Sequence, residues 1–236
     1  MSSLAVICFL WCDGSRDYRP KHVDVLASMV RRHLPVPHEF VCFTDQSGFS
    51  ADVRALPLPD AAHAAARMAT PEGEKFPSSY RRLWLFSREA TEIADRVLLL
   101  DIDCVIPRDL SPLLEVDADF VGWRPNYAWG TERRFGGGTW LLRTGTHPEV
   151  WDDFGEDGIK AARAAGFRGS DQAWISHKLA AVAPAWPRSA GIYQSQDMRA
   201  SGYRALPADA RIVHFNGHPK AWELAGRIEW IRRHWQ

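Results

Sequence analysis

Arg96-Val97-Leu98-Leu99-Leu100-Asp101-Ile102-Asp103-Cys104-Val105-Ile106 sets four consecutive apolar residues ahead of a pair of carboxylates. Such a run reads as a strand buried on both faces, whose carboxyl end opens into a site. In an extended chain residues i and i+2 project to the same side, so Asp101 and Asp103 are expected to point at one object. Two anions held that close repel each other unless a cation lies between them. Oxygen ligands at such a position suit Mg²⁺ or Mn²⁺, ions that keep coordination sites open for the phosphate oxygens of a substrate.

Ahead of this stretch, Leu4 to Trp11 is a first buried strand, followed by a polar loop from Asp13 to Pro20. Beyond Pro20, Val23, Leu26, Ala27, Val30 and Leu34 recur at the spacing of one helical face, and Arg31, Arg32 and His33 fall at the end where the helix dipole favours cations. Pro35 and Pro37 stop that helix, and Phe40-Val41-Cys42-Phe43 is a second strand running into Thr44-Asp45. Strand, helix and strand joined by short links predict a βαβ unit, hence a largely parallel sheet wrapped by helices. Ligands gather beyond the carboxyl ends of such strands, so the loops after Trp11, Phe43 and Leu100 are expected on one rim. From Ala51 to Phe76 the pattern predicts a short strand, Val53 to Leu56, and then an irregular loop carrying Pro57, Pro59, Pro71 and Gly73. Ser78 or Ser79 caps a predicted helix through Tyr80-Arg81-Arg82-Leu83 to Ile93, with Leu83, Phe86, Ala90 and Ile93 facing inward.

After the acidic pair, Pro107 to Leu114 reads as a turn and a short helix, and Asp119 to Trp123 as a strand. Gly136-Gly137-Gly138 directly precedes a strand beginning at Thr139, and a tight bend and the close approach of a ligand both account for such a run. His147 to Phe154 and Ile159 to Ala165 read as helices. Ser170 caps a further one, Asp171 to Leu179, whose first turn holds Asp171 and Gln172; an aspartate there is stabilised by the dipole whatever its function. Near the end, Arg211-Ile212-Val213-His214-Phe215-Asn216-Gly217-His218-Pro219-Lys220-Ala221-Trp222 is a short strand delivering His214 and a turn presenting Lys220. An imidazole for a metal and an ammonium for phosphate are what a metal–diphosphate site lacks after Asp101 and Asp103. Ala221 to Gln236 reads as one final helix with Leu224, Ile228, Ile231 and Trp235 on one face. That face either packs on the domain or, being flanked by Arg227, Arg232 and Arg233, touches a membrane surface.

The 236 residues are enough for one large domain. The 29 basic and 29 acidic residues cancel, which argues against broad electrostatic binding to nucleic acid. Eleven tryptophans serve either as core or as planar stacking surfaces for sugars and bases. Cys8, Cys12, Cys42 and Cys104 lie in or beside apolar runs, as reduced buried thiols of a cytoplasmic protein do, and their spacing does not suit structural zinc. The amino terminus lacks the basic region and cleavage site of a signal peptide, and no run reaches the roughly 18 apolar residues of a membrane span.

Taken together, the opening βαβ, the Tyr80-Arg81-Arg82-Leu83 helix, the DxD at Asp101 and Asp103, the FGGGTWLLR loop, the SDQAW helix start and the HFNGHPKAW segment resemble the A-type glycosyltransferase fold. They look most like family 8, the glycogenin and lipopolysaccharide galactosyltransferase group, whose HxxGxxKPW the last segment is similar to. The resemblance implies a single α/β domain over 1–236 with a mixed, mostly parallel central sheet flanked by helices. A nucleotide-binding half would span about 1–106 and an acceptor-side half about 107–236. It implies a Mn²⁺ (or Mg²⁺) held by Asp101, Asp103 and His214 and bridging the phosphates of a nucleotide-sugar donor, UDP-sugar above all. Gly217 and Lys220 would meet the diphosphate. Asp45, Arg82, Asp101, Ile102 and Gly137 would line the donor site, and Asp171 with Gln172 would act in catalysis with retention of configuration. The acceptor would be a saccharide, a lipid-linked sugar or a protein. The cysteine pattern points to a cytoplasmic enzyme, and peripheral membrane contact through the C-terminal helix stands as the alternative to packing of that helix on the domain. The sequence departs from the family at the three glycines, which replace an Asn-Ser-Gly-like run, at Ala221, which replaces Pro, and at His218, an extra imidazole. Two other readings stand beside this one: a haloacid-dehalogenase-like phosphatase using Asp101 and Asp103, and a sugar-nucleotide-binding module without turnover.

Overall fold

The computed structural model describes residues 3–11, 18–68, 77–125 and 134–236. Cys12, Asp13 to Asp17, Pro71 and Gly73 lie outside the described residues. Among the described residues nine strands and seven α-helices run in chain order. They begin β1 (Leu4–Leu10), α1 (Pro20–His33), β2 (Glu39–Thr44), β3 (Arg54–Leu56), α2 (Asp60–Arg67), β4 (Arg96–Leu100), β5 (Cys104–Val105), β6 (Phe120–Gly122) and β7 (Thr139–Arg143). They continue α3 (Glu149–Asp152), α4 (Glu156–Ala164), α5 (Asp171–Leu179), β8 (Ile192–Gln194), β9 (Ile212–His214), α6 (Ala221–Leu224) and α7 (Glu229–His234). A six-stranded sheet has the order β3-β2-β1-β4-β7-β6, and a three-stranded sheet has the order β5-β9-β8. In the first, β2 and β3 are parallel and β6 and β7 antiparallel. The architecture is the mixed, mostly parallel α/β sheet with flanking helices that the family resemblance implies.

Packing divides the chain into two compact units. One comprises Met1–Ala5, Pro57–Leu98 and Ala118–Ala185, the other Val6–Leu56, Leu99–Asp117 and Trp186–Gln236, so that β1 and β4 pass through both. The first unit is built around aromatic rings: Phe86 lies 5.8 Å from Phe120 and 5.4 Å from Trp140, and Phe135 meets Phe120 edge-on at 5.3 Å. In the second, α1 buries Val23, Leu26, Ala27 and Val30, the face read from the spacing, and Phe9 of β1 stacks on Phe43 of β2 at 5.2 Å.

The structure departs from the sequence reading in five places. The strand through the acidic pair is not continuous: β4 stops at Leu100, Ile102 and Asp103 form a turn, and Cys104 opens a strand of the other sheet. The i, i+2 argument for the two carboxylates therefore does not hold, because the apolar run on either side of them serves two different sheets. The irregular loop after β3 contains α2, whose Ala62, Ala65 and Ala66 are buried at helical spacing. Tyr80 to Ile93 is not one α-helix but two 3₁₀ segments, Pro77–Phe86 and Arg88–Glu92. Residues 79–80 and 82–86 are all buried, so the segment has no polar face for an amphipathic α-helix to present. The C-terminal helix is two short ones, α6 and α7, separated at Gly226, a poor helix former. Its Leu224, Ile228 and Ile231 are buried, so the apolar face is spent on packing. Finally, β8 is a strand that the sequence reading passed over. No described helix is long and apolar enough to cross a membrane.

Candidate active site

Each unit gathers its own group of candidate residues. In the second unit β5 and β9 are antiparallel, with Cys104 opposite His214, and the Phe215 N–H donates to the Asp103 carbonyl at 2.8 Å. This register is what carries the HFNGHPK segment to the acidic turn, across more than a hundred residues of sequence. Asp103 is nearly enclosed, its side chain 7% exposed. Its Oδ2 accepts from the Lys220 ammonium at 2.5 Å and from the Tyr18 hydroxyl at 2.7 Å. Lys220 Nζ also donates to the Tyr18 hydroxyl at 2.8 Å and to the Phe215 carbonyl at 3.0 Å, so all three of its N–H groups are engaged.

Local chemistry explains how Lys220 comes to be there. Gly217 turns the chain at φ +80°, a conformation that side chains with a Cβ rarely adopt. Lys220 then stands at the amino end of α6, its N–H bonded to Glu223 Oε2 at 2.6 Å. That hydrogen bond, and a second contact from His218 Nδ1 at 3.2 Å, hold the Glu223 carboxyl below the usual carboxylate range. His218 is largely exposed and turned to Glu223. Trp222, next along, stacks on His22 at 4.1 Å and meets Tyr18 edge-on at 5.6 Å, bracing the hydroxyl that reaches Asp103. Below the acidic turn the Cys104 thiol is pushed well up, by burial first and then by the charges of Asp103 and Asp101. Asp101 is half-buried, Ile102 is buried, and Asp45 is exposed just past β2.

Whether these residues suit a divalent ion is answered first by their donors. Two carboxylates and an imidazole are a set that Mn²⁺ accepts. Asp103 already pairs, through Oδ2, with a cation, the Lys220 ammonium. Among the described residues no three His, Cys, Asp or Glu side chains are gathered closely enough to hold an ion together. The donor chemistry fits; the side chains rest with an organic cation in place.

In the first unit Arg82, 9% exposed at its side chain, pairs through Nη2 with the wholly buried Asp171 Oδ2 at 2.6 Å. Its Nη1 donates to the Gly137 carbonyl at 2.9 Å, and the Gly137 N–H donates to Gln172 Oε1 at 3.2 Å. Two of the three glycines are thus explained by close packing. A Cβ on Gly137 would lie 2.9 Å from Arg82 Nη2, and one on Gly136 2.6 Å from the Trp123 ring. Ser170 precedes α5, but its hydroxyl bonds Asp171 Oδ1 at 3.1 Å and not the helix backbone. Asp171, read from the sequence as catalytic, has no surface for a substrate to touch; it holds Arg82. Gln172, beside it, is exposed.

The structure therefore joins Asp103, Lys220 and the backbone around His214 in one unit, and Arg82, Gly137, Asp171 and Gln172 in the other. Tyr18 was missed. In the sequence it is one residue of a polar loop, and its only signal was an aromatic in the loop after the first strand, on the rim where ligands gather.

The fold that holds these residues is the A-type glycosyltransferase fold. The galactosyltransferase LgtC, solved in complex with donor and acceptor sugar analogues, superposes with a TM-score of 0.64 at 15% identity over 98% of this chain and 93% of that one. The apo form of the glycosyltransferase GlyE from Streptococcus pneumoniae gives 0.61 at 14% identity, and the bifunctional glycosyltransferase WbbM gives 0.58 at 13%. Each covers 94% of this chain, which spans 56% of GlyE and 47% of WbbM. The sequence matches no family model and no curated protein at a significant level.

Proposed function

We propose that this chain is a glycosyltransferase that moves a sugar from a nucleotide-diphosphate donor, of the UDP-sugar kind, to a hydroxyl acceptor, in a divalent-metal-dependent reaction that retains anomeric configuration. The observation that carries the proposal is the buried Asp103–Lys220 pair, set beside the His214 strand by the β5–β9 register on a glycosyltransferase fold. Asp101, Asp103 and His214 would hold the metal, which when bound supplies Lewis-acid stabilisation to the leaving diphosphate. Lys220 adds an ammonium to the same developing charge, and Gly217 leaves the turn open for phosphate to approach the backbone. The exposed Gln172 is assigned to the donor sugar, where its carboxamide stabilises an electron-poor anomeric carbon or orients a front-side attack. Asp171 and Gly137 fix Arg82, and through the Gly137 N–H the carbonyl end of Gln172. Asp45 and Ile102 are assigned to the nucleoside and its ribose.

Attack of the acceptor oxygen forms one glycosidic bond and breaks the bond from sugar to diphosphate. The nucleoside diphosphate leaves with the electron pair, and the acceptor proton departs with it or to solvent. The phosphatase reading draws no support from the fold. Thermal-shift screening of UDP- and GDP-sugars with and without Mn²⁺ tests the proposal, because a ligand of the folded state raises apparent stability with occupancy. A shift for UDP-sugar that requires Mn²⁺, with slow release of free sugar, is the expected result. A shift without sugar release identifies a binding module, and no shift for any nucleotide sugar refutes the assignment.

A further inference from the structure

We infer that Gln194 is a positioning residue for His214: its carboxamide oxygen takes the imidazole N–H and so fixes which ring nitrogen is left to meet a ligand. The inference rests on the reading of His214 as a site residue, and it holds whatever His214 binds. Its basis is the small sheet. β9 lies between β5 and β8, antiparallel to the first and parallel to the second. The register sets Cys104, His214 and Gln194 side by side in one row across three strands. Lateral neighbours in a sheet project from the same face, so the imidazole has the Cys104 thiol on one flank and the Gln194 carboxamide on the other. The row is closed to water: Cys104 and His214 are 0% exposed and Gln194 3%.

A carboxamide at such a depth needs partners. The Gln194 backbone N–H has one, Asp197 Oδ2 at 3.2 Å, but its side-chain Oε1 is buried without a hydrogen bond. An amide oxygen left so is costly, and it calls for a donor within reach. Beside it in the row stands an imidazole, which in its neutral form carries one N–H and one lone pair. On the other flank the Cys104 sulfur is a weak acceptor, so the carboxamide oxygen is the better partner for that N–H. Once one ring nitrogen is committed to Gln194, the other presents its lone pair. A hydrogen bond to the far nitrogen is the general means by which a protein sets the tautomer and ring orientation of a ligating histidine. Gln194 acts through His214 and touches no substrate itself.

The tautomer is read directly from two-bond proton–nitrogen correlation spectra of the ¹⁵N-labelled full-length chain at about pH 8, where an ordinary imidazole is neutral. Metal and nucleotide are left out, and the His214 signals are assigned by their loss in His214→Asn. In the wild type one tautomer should dominate, with the two ring nitrogens at widely separated shifts. Gln194→Met keeps the length of the side chain and removes the oxygen, so the tautomer ratio should fall about two- to tenfold, the factor one neutral hydrogen bond is worth. Gln194→Glu restores an acceptor oxygen and should restore the dominant tautomer, which a purely space-filling role would not do. An unchanged ratio in Gln194→Met overturns the inference. Should that variant prove unfolded by circular dichroism, the wild-type spectrum decides alone: a ring divided evenly between its tautomers overturns the inference as well. Because the spectra are recorded without nucleotide sugar, a thermal-shift screen that refutes the transferase reading leaves them unaltered, and the two readings fail separately.

Discussion

Arg82→Met removes a guanidinium that lies 2.6 Å from a carboxylate with no solvent exposure. A buried charge that loses its counter-charge is expensive: breaking such a pair from one side costs about 3–5 kcal/mol, against a typical total stability of about 5–15 kcal/mol. Here the pair carries a further load, since Arg82 also holds the Gly137 carbonyl at 2.9 Å. For a chain of this size about 3–5 kcal/mol corresponds to a fall in Tm of roughly 6–20 °C. Asp171→Leu alone should cost a similar amount, because it leaves the cation buried. The double variant, with neither charge, should lose less than the two single losses added together. Urea unfolding of all four proteins gives a coupling energy, expected at about 2 kcal/mol or more. Additivity of the two single losses to within about 0.5 kcal/mol would refute the pairing as an energetic unit.

Gly137→Ala places a methyl 2.9 Å from Arg82 Nη2, whose position is already fixed by Asp171, so overpacking should lower stability by about 1–3 kcal/mol, read as a shifted urea midpoint. His33 and His234 stand 6.2 Å apart, and both are held below the usual histidine range, chiefly by burial and then by neighbouring charges. A depressed folded-state pKa contributes stability that is present above about pH 6.5 and lost as pH falls through the folded value. Unfolding free energies at pH 7.5 and 5 should therefore converge in a His33→Gln/His234→Gln variant relative to wild type. Cys8 and Cys104 thiols are raised well above their ordinary range by burial, so iodoacetamide should leave both unmodified in the native protein and alkylate them once urea has unfolded it. Modification of either without denaturant would show the core to be more open than described.

The features legible in the sequence were those written in composition and period. Continuous apolar runs gave β1, β2 and β4, and the spacing of Val23, Leu26, Ala27 and Val30 gave α1. The acidic pair and the HFNGHPKAW segment stood out because their chemistry is uncommon at such density. What escaped depends on closures that sequence distance conceals. Nothing local marks Tyr18 as the residue that meets Asp103, and no period distinguishes Asp171 as an ion-paired anchor from Asp171 as a reactive group. Gly136 and Gly137 read as a tight bend or the approach of a ligand, yet they are small because Trp123 and Arg82 occupy the space. The helix α2 was obscured by flanking prolines although Ala62, Ala65 and Ala66 carried its spacing.

The interleaving of the two units has a consequence for how the protein is made. Asp103 and Lys220 are separated by 117 positions, and the unit they share is completed by Trp186–Gln236. A ribosome therefore releases the acidic turn long before its ammonium exists, and for that interval the carboxylate must stay hydrated or borrow a soluble cation. Assembly of this centre is the business of the finished polypeptide, and a nascent chain stalled before Lys220 carries an acidic turn still waiting for its partner.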